Sequence, residues 1–164
     1  MSSIQSTADC ERIIICDGSC IRNPGPGGWA YGVIQGDRVD YYHGSQGEAT
    51  NNIMELTAMI QAIEHISMAQ SAANKIYTDS IYVVNGINSW LEQWKQSNWK
   101  NSQKKTVKNL DLWQKIDQIY DKKIKVKWIK GHARPQDYSG REKFLIEVQN
   151  QVDQLARNAG LGLI

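Results

Sequence analysis

The sequence predicts one α/β domain in which helices cover both faces of a mixed β-sheet. Two observations support this fold class. Three strand-like segments come first and are joined by short turn signals, which is typical of antiparallel hairpins. Helical and strand-like segments then alternate, as they do where strands pair in parallel. The 164 residues are one domain's length, and we expect a flexible N-terminal tail at 1–10 and a single domain at 11–164.

The first three strands are predicted from short apolar runs and turn residues. "IIICDGSC", at 13–20, begins as a buried strand does, and "DGS" is typical of a turn, so we expect this strand to end at Asp17. "NPGPGG", at 23–28, is typical of a turn cluster. The segments "WAYGVIQ" and "RVDYYHGS" then predict a hairpin around Gly36–Asp37.

Helical spacing begins after the hairpin. The first helix starts near residue 51, where Thr50 or Asn51 can cap it. Four further elements follow: strands at 75–80 and 123–133, and helices at 81–94 and 107–120. The chain closes with an amphipathic helix whose apolar stripe has five members: Phe144, Val148, Val152, Leu155 and Ala159.

The composition is that of an ordinary globular protein. Hydrophobic residues make up 41% and charged residues 22%. No apolar run approaches the ~20 residues of a membrane span, and the first nine residues lack a basic-then-apolar signal peptide. Three cysteines are too few for a disulfide framework or a four-ligand zinc site. We therefore expect a cytoplasmic protein with free thiols and no membrane association.

The charge is distributed unevenly along the chain. The net charge is +2, but segment 95–130 holds eleven lysines and three aspartates, hence +8, whereas the rest of the chain carries −6. A basic segment beside an acidic remainder indicates an anion-binding surface and is compatible with a separate cation site. A merely solvated lysine-rich face is the plainer alternative.

Two predicted strands end in a carboxylate, Asp17 and Asp79. If the strands are neighbours, the two charges converge at one edge of the sheet, and at ~4 Å they repel by several kcal/mol unless a cation lies between them. Glu55 in the first helix and Asp153 in the last can complete an all-oxygen site suited to Mg²⁺ or Mn²⁺. Taken singly, each has a plainer alternative as a turn residue, a helix-dipole partner or a solvated side chain.

Six segments along the chain resemble the motifs of a known family and occur in the same order: "CDGSCIRNPGPGGWAYGVI", "TNNIMELTAMIQAIE", "YTDSIYVVNGINSWLEQWKQSNWK", "KKTVKNLDLWQKID", "VKWIKGHA" and "VDQLAR". Together they resemble type 1 ribonuclease H over residues 12–160, and most of all its bacterial branch, which has the same basic protrusion around "NWKNSQKKTVKN". The resemblance implies a ribonuclease H-like fold with a five-stranded mixed sheet. It also implies a monomer, without an obligate protein partner, that cleaves the RNA strand of RNA/DNA hybrids.

The resemblance further implies a site for two divalent ions, Mg²⁺ or Mn²⁺. The family's four metal-binding carboxylates fall on Asp17, Glu55, Asp79 and Asp153, and its mobile catalytic histidine falls on His132 in "KGHA". In that pattern Asp17 bridges both ions and Asp153 completes the ion that activates water. Glu55 and Asp79 hold the other ion. Two ions can clamp a phosphodiester, and the implied products carry a 5′-phosphate and a 3′-hydroxyl.

Substrate-binding positions also follow from the resemblance. Selecting RNA requires sensing 2′-hydroxyls, and the family's positions for this fall on Cys20, Asn23, Asn51 and Asn52. Three tryptophans, Trp90, Trp94 and Trp99, fall along the DNA-strand channel, with core packing as the alternative. A pocket for a phosphate of the DNA strand falls on Thr50 and Asn109, and phosphate-binding lysines on Lys104, Lys105 and Lys108. Ile81 replaces a Gln that is common in bacterial members, which removes one expected contact with RNA.

The segment before the last carboxylate departs from the family in length. His132 and Asp153 are 21 residues apart, clearly more than in familiar bacterial members, and Gln149 stands where the family usually has Asn. We predict that Asp153 is the ligand rather than Asp137 or Glu147, because it alone precedes "QLAR" and lies beside the apolar stripe. We expect the extra residues to divide between the histidine loop and added N-terminal turns of the last helix.

Three other functions compete with this hypothesis. A non-catalytic hybrid-binding module would be expected to lack a carboxylate, but all four are present. A DNA nuclease or strand-transfer enzyme of the same superfamily explains the acids but not the pairing of "TNNIMEL" with "CDGSCIRNPGPGG". A structural cation site does not need a channel of aromatic and lysine residues.

Overall fold

A five-stranded sheet forms the centre of the domain. The computed structural model describes residues 12–68 and 75–164, so the predicted tail at 1–10 lies outside the described residues. The strands are β1 (Arg12–Cys20), β2 (Gly25–Gln35), β3 (Arg38–Ala49), β4 (Lys75–Thr78) and β5 (Lys125–Trp128). They lie in the order β3–β2–β1–β4–β5.

The sheet is mixed, as the sequence predicts. β2 pairs antiparallel with both β1 and β3, whereas β4 pairs parallel with both β1 and β5. Gln35 pairs with Arg38, so the two-residue turn Gly36–Asp37 closes the second hairpin where it is predicted. The parallel pairs place the carboxyl ends of β1, β4 and β5 at the same edge of the sheet.

The prediction that β1 ends at Asp17 is wrong. β1 continues to Cys20 because residues 18–20 pair with residues 27–29 of β2. The turn is therefore shorter than "NPGPGG", and β2 begins at Gly25. Small residues in this segment serve close packing of a strand rather than a turn, since a side chain on Gly28 would overlap the C-terminal turns of the last helix.

Two other strand bounds differ from the sequence prediction. β3 extends to Ala49, four residues beyond the predicted end at 45, because β2 remains available for pairing as far as Gly25. β5 has four residues within the predicted range 123–133, because β4, the strand that pairs with it among the described residues, also has four. Strand length here depends on the neighbouring strand, which local sequence does not reveal.

Helices pack on both faces of the sheet. They are α1 (Asn51–Met68), α2 (Ile81–Asn85), α3 (Leu91–Gln96), α4 (Leu110–Ile119) and α5 (Gly140–Gly160), with a π-helical turn at Gly86–Trp90. Thr50 caps α1, since its Oγ1 accepts the Ile53 N–H at 3.1 Å. α4 begins at Leu110 rather than the predicted 107, because Asn109 has a left-handed φ of 57° that a right-handed helix cannot include.

The long connector before α5 divides as the sequence predicts. Part of it forms a short 3₁₀-helix at Pro135–Asp137, and the rest adds turns to α5, which begins at Gly140. Arg141 fixes these turns to the β2–β3 hairpin, because its Nη1 donates to the Gly36 carbonyl at 3.0 Å and its guanidinium lies 4.8 Å from the ring centre of Phe144. The added turns are thus part of the packed domain.

The core divides into two clusters, one on each face of the sheet. Ile14 and Cys16 of β1 face α1, while Ile13 and Ile15 face α5, as the two-residue period of a strand requires. Cys16 and Cys20 are free thiols. Within the described part of the chain, no helix combines the length and apolarity needed to cross a membrane.

Candidate active site

Three carboxylates meet at the carboxyl edge of the sheet. Cys16 of β1 pairs with Thr78 of β4, so Asp17 and Asp79, the next residue in each strand direction, lie side by side. Glu55 reaches the same point from the first turns of α1. One carboxylate oxygen from each of Asp17, Glu55 and Asp79 lies within 4.8 Å of the other two.

The approach of α1 to β1 depends on Gly18. Its N–H donates to Glu55 Oε1 at 2.7 Å and to Asp17 Oδ1 at 2.9 Å, so one backbone amide holds two of the carboxylates. A Cβ at this position would overlap the backbone of Met54 and Glu55. The glycine after Asp17 is therefore required by close packing, which explains the "DG" pair in a continuing strand.

Burial sets the electrostatics of the cluster. Asp17 is only 2% exposed, and burial, followed by the charges of Glu55 and Asp79, raises its pKa well above the usual value. Burial and then Asp79 likewise raise the pKa of Glu55. Burial, reinforced by the same carboxylates, raises the pKa of the Cys16 thiol. The cluster therefore opposes accumulation of negative charge unless a cation compensates it.

Two buried oxygen atoms in the cluster suit a cation. Asp17 Oδ2 and Asp79 Oδ1 are buried and have no hydrogen-bond partner among the described residues, an arrangement that proteins usually avoid. The donor set consists of carboxylate oxygens, which hard divalent ions such as Mg²⁺ and Mn²⁺ prefer to nitrogen or sulfur. The residues present therefore fit the divalent ions that the sequence predicts.

Asp153 and His132 lie at the same cleft. Asp153 projects from α5 with its side chain 30% exposed, and its Oδ2 lies 3.7 Å from Nδ1 of His132, which is 80% exposed. The two rival acids lie elsewhere: Asp137 pairs with Arg134 at 3.1 Å, and Glu147 is exposed on another face of α5. Neither rival lines the cleft.

The cleft has a volume of about 420 Å³ and combines these groups with four additional residues: Gly18, Ser19, Asn51 and Arg157. Arg157 was missed by sequence reasoning, although it lies one helical turn after Asp153 and thus on the same face of α5. That spacing within "VDQLAR" was a usable signal. Arg157 places a positive charge beside an otherwise acidic cleft, where it suits a phosphate group.

Comparison with known proteins places this geometry in a family. Residues 9–160 match the RNase H family. The chain belongs to the ribonuclease H family. It is 48% identical to the ribonuclease H of Dechloromonas aromatica (strain RCB) over 128 residues, which are 77% of this chain and 85% of that protein. It is 42% identical to the ribonuclease H of Rhodopseudomonas palustris (strain BisB5) over 147 residues, which are 89% of each chain.

Solved structures of ribonucleases H share the fold. LC9-RNase H1, a type 1 RNase H with the type 2 active-site motif, superposes with a TM-score of 0.75 at 25% identity, covering 94% of this chain and 74% of the other. The PFV RNase H domain superposes with a TM-score of 0.78 at 23% identity, covering 93% and 96%. The chain is thus an enzyme of the ribonuclease H type with a ribonuclease H-like fold, as the sequence predicts.

Of the four residues predicted to sense RNA, here called the polar rim, one lines the ribonuclease H cleft. Asn51 lines it, and its N–H donates to Asn23 Oδ1 at 3.2 Å. Cys20 Sγ faces the carbonyls of Gly25 and Ala49 at 3.5 and 3.4 Å. Asn52 is exposed at the start of α1.

The residues predicted for the DNA strand lie outside the cleft lining, although one of them, Thr50, caps α1 directly before the cleft residue Asn51. The ring of Trp94 packs edge-on against the buried Trp113, with 5.2 Å between the ring centroids, and its centroid lies 5.8 Å from that of Trp90. Trp90 and Trp94 therefore both take part in packing. Asn109 Nδ2 donates to the Tyr82 hydroxyl at 3.2 Å. Around the loop that joins α3 to α4, Trp99 is partly buried, while three lysines are exposed: Lys104, Lys105 and Lys108. None of these residues lines the cleft.

The carboxylate cluster predicts a stability effect in the absence of divalent ions. We expect Asp17→Asn to raise the melting temperature at pH 7 in chelator. Because the pKa of Asp17 is raised in the folded state, its contribution to the free energy of unfolding is fully present below the unfolded-state pKa. That contribution is lost as pH rises through the folded-state pKa. The amide removes that loss and keeps the oxygen that accepts the Gly18 N–H. A gain of a few degrees is expected, since ~1 kcal/mol corresponds to ~2–4 °C for a domain of this size.

Thermal unfolding in chelator between pH 4 and pH 8 measures this effect. The difference between variant and unmodified protein should be small at pH 4 and grow towards neutral pH, and Mg²⁺ should stabilise the unmodified protein more than the variant. Asp137→Asn, at an exposed acid outside the cleft, serves as control. A variant less stable than the unmodified protein at pH 7 in chelator would contradict this electrostatic account.

Proposed function

We infer that this ribonuclease H hydrolyses the RNA strand of RNA/DNA hybrids at the carboxylate cleft with two divalent ions, Mg²⁺ or Mn²⁺. One observation carries the proposal: three carboxylates, of which Asp17 is buried and the other two are partly buried, converge within 4.8 Å, and two buried oxygen atoms among them have no hydrogen-bond partner among the described residues. Bound divalent ions would activate water for attack on phosphorus and neutralise charge on the leaving oxygen. The products would carry a 5′-phosphate and a 3′-hydroxyl.

Different carboxylates would hold each of the two ions. Asp17 is the most buried of the acids and interacts electrostatically with Glu55, Asp79 and Asp153, which suits the bridging role that the family pattern assigns to it. Glu55 and Asp79 would hold one ion. Asp153 would complete the other from α5, on the side of the cleft nearest His132.

His132 and Arg157 are suited to proton and phosphate chemistry at the mouth of the cleft. The exposed imidazole of His132 lies beside Asp153, so it can exchange protons with solvent and swing towards a product phosphate. Arg157 lines the cleft one turn from Asp153 and can bind a phosphate oxygen. We propose that both residues act on the phosphate of the RNA strand.

Selection of RNA would depend on the polar rim of the cleft. The backbone N–H of Asn51 donates to Asn23 Oδ1 at 3.2 Å, which fixes the side-chain amide of Asn23 beside Asn51 for contact with 2′-hydroxyls. Cys20 lies three residues before Asn23 in the sequence, and Asn52 directly follows Asn51. Ile81, 58% exposed, offers no side-chain hydrogen bond where bacterial relatives often have Gln. One solved relative of the same fold, LC11-RNase H1, forms a crystalline complex with an RNA/DNA hybrid.

The lysine-rich loop would bind the DNA strand without reading its sequence. We expect a triple Lys104→Ala, Lys105→Ala, Lys108→Ala variant to bind hybrid more weakly at low salt, with a log–log salt slope reduced by up to about three, since each phosphate contact adds nearly one. Turnover at saturating hybrid should change little, because these lysines lie outside the cleft. Titrations of hybrid between 50 and 300 mM salt measure the slope.

Replacement of three other exposed lysines provides the matched control: Lys122, Lys123 and Lys143. The log–log salt slope of hybrid binding should fall less in this control variant than in the Lys104, Lys105 and Lys108 variant. A slope unchanged by replacing Lys104, Lys105 and Lys108 would show that they form only a solvated face.

The proposed function is tested with a panel of labelled substrates. Hybrid, duplex RNA, duplex DNA and both single strands are incubated with Mg²⁺ or chelator. We expect cleavage of the RNA strand of the hybrid alone, and only with the divalent ion. Cleavage of duplex DNA would favour a DNA nuclease of the same superfamily. Tight binding of hybrid without cleavage would favour a non-catalytic binding module.

A further inference from the structure

A groove of about 360 Å³ lies beside the catalytic cleft, between the edge of the sheet and the added turns of α5. Its volume is at the lower end of the range for small-molecule sites. Three aromatic side chains line it: Tyr77 of β4, Trp128 of β5 and Tyr138 of the connector. Lys130 and Glu142 add one exposed charge of each sign. Glu142, Leu145 and Ile146 of α5 complete the lining, so one wall of the groove comes from the N-terminal turns that the long connector adds to α5.

Trp128 exposes an aromatic surface to a ligand, whereas Tyr77 and Tyr138 are partly buried and also pack against the core cluster on this face of the sheet. Trp128 is 49% exposed, and within residues 12–68 and 75–164 none of the three rings contacts another aromatic side chain. The indole is nevertheless held in place, because its Nε1 donates to the Asp79 carbonyl at 3.1 Å. A fixed ring with an exposed surface can stack a flat partner at a small cost in side-chain entropy.

The groove and the cleft are direct neighbours. The hydrogen bond from Trp128 reaches the backbone of Asp79, whose carboxylate belongs to the cleft. Lys130 lines the groove, while His132, two residues further on, lines the cleft. Gly131 between them packs so closely on the Asp79 carboxylate that a Cβ there would overlap it. A strand with a phosphate at the carboxylates thus has the groove within reach of an adjoining nucleotide.

The charge around the groove suits a polyanion. Segment 125–130 contains three lysines and no acidic residue, and Lys127 pairs beside Tyr77 across β4 and β5. These lysines are separate from the three on the loop between α3 and α4. Aromatic side chains interleaved with lysines are typical of surfaces that bind single-stranded nucleic acid. An apolar protein segment would fit the aromatic groove but would not need the lysines.

We propose that this groove binds one unpaired nucleobase of a strand that continues beyond the hybrid in the cleft. The base stacks on the aromatic side chains, Lys130 binds its phosphate, and Glu142 accepts a hydrogen bond from the base edge. Stacking is tolerant of base identity, so the groove favours junctions between hybrid and single strand without favouring a sequence. This inference rests on the proposed function, because it assumes a hybrid in the cleft.

Binding of designed hybrids in chelator, where no cleavage is expected, tests the groove. Fluorescence anisotropy compares a blunt hybrid with hybrids that carry a six-nucleotide overhang at each of the four strand ends, and with the same overhangs made abasic. We expect at least one overhang to bind about fivefold or more tighter than its abasic counterpart, the lower end of the contribution of one stacked base. The abasic comparison removes the effect of added phosphates.

Two pairs of variants connect the effect to the groove. Tyr138→Leu should abolish the preference for the base-containing overhang, whereas Tyr41→Leu, at an exposed tyrosine of β3, should retain it. Lys130→Gln should weaken binding of that overhang, whereas Lys122→Gln should have a smaller effect. Thermal unfolding verifies that each variant is folded, and the lysine pair provides the test if Tyr138→Leu is not.

Two results would overturn the proposal. Equal binding of intact and abasic overhangs at all four ends would show that no base enters the groove, and that another occupant, such as an apolar protein segment, must be sought. A base preference that survives both Tyr138→Leu and Lys130→Gln would assign it to another surface. Cleavage of the blunt hybrid with Mg²⁺ keeps the two proposals apart, because its failure overturns the proposed function, whereas its success without a base preference overturns the groove alone.

Discussion

Glu55→Gln is expected to reduce the rate of hybrid cleavage by about 10³-fold, the upper end of the scale for losing one group that stabilises transition-state charge. Glu55 is one of three carboxylates that converge within 4.8 Å, so the change removes one charge from the proposed ion site. Gln keeps an oxygen that can accept the Gly18 N–H, which Glu55 Oε1 accepts at 2.7 Å. The packing of α1 on β1 should therefore survive.

Hybrid binding by Glu55→Gln should remain within about threefold of the unmodified protein, because the lysine-rich loop provides sequence-independent affinity. Single-turnover cleavage and an anisotropy titration measure the two quantities. Glu64→Gln is the matched control, since Glu64 lies on the same helix and pairs with Lys115 at 3.5 Å, away from the cleft. Substantial Mg²⁺-dependent turnover by Glu55→Gln would disprove the assignment of Glu55.

Asp153→Asn is expected to lose most activity, with a fall of about 10²–10³-fold. Asp153 is the only one of the three acidic candidates after His132 that lines the cleft. Its Oδ2 lies 3.7 Å from His132 Nδ1, so the change affects both the proposed ion site and the orientation of the histidine. Single-turnover cleavage with excess enzyme measures the chemical step.

Asp137→Asn and Glu147→Gln are the matched controls for Asp153. Asp137 pairs with Arg134 on the surface, and Glu147 is exposed, so both variants should retain activity within a fewfold. An inactive Glu147→Gln beside an active Asp153→Asn would show that the register of α5 in the site is wrong.

Much of the fold follows from local sequence. The apolar stripe of α1 and its Thr50 cap define a helix that begins at Asn51, and Gly36–Asp37 defines a two-residue hairpin. These features depend on residues a few positions apart, so pattern and turn chemistry suffice. The division of the long connector into a 3₁₀-helix and added turns of α5 was likewise predictable from the apolar spacing of Phe144 and Val148.

Other features depend on contacts between distant residues. Whether "DGS" is a turn or a strand is decided by pairing with residues 27–29 of β2, which the local pattern cannot show. The tryptophans at i and i+4, Trp90 and Trp94, fit a channel or a core equally well, and the structure packs Trp94 on Trp113. The groove beside Trp128 could not be predicted, because it requires the position of α5 relative to the edge strand.

The candidate site follows from the sequence to the extent that strand order does. Asp17 and Asp79 meet because β1 and β4 pair in parallel with Cys16 opposite Thr78, an arrangement that the motifs imply through resemblance rather than through spacing. The role of Gly18 could not be predicted because it arises from contact between β1 and α1, whereas the one-turn spacing of Arg157 from Asp153 was a signal in the sequence itself.

The ends of the products test the central claim most directly. A hybrid with end-labelled RNA is cleaved in Mg²⁺, and the fragments are assayed for polymerase extension and for ligation. Attack by water at a cleft of carboxylates and divalent ions predicts a 3′-hydroxyl that a polymerase extends and a 5′-phosphate that a ligase joins. Fragments with a 2′,3′-cyclic phosphate and a 5′-hydroxyl would instead show attack by the RNA's own 2′-hydroxyl and would contradict the proposed mechanism.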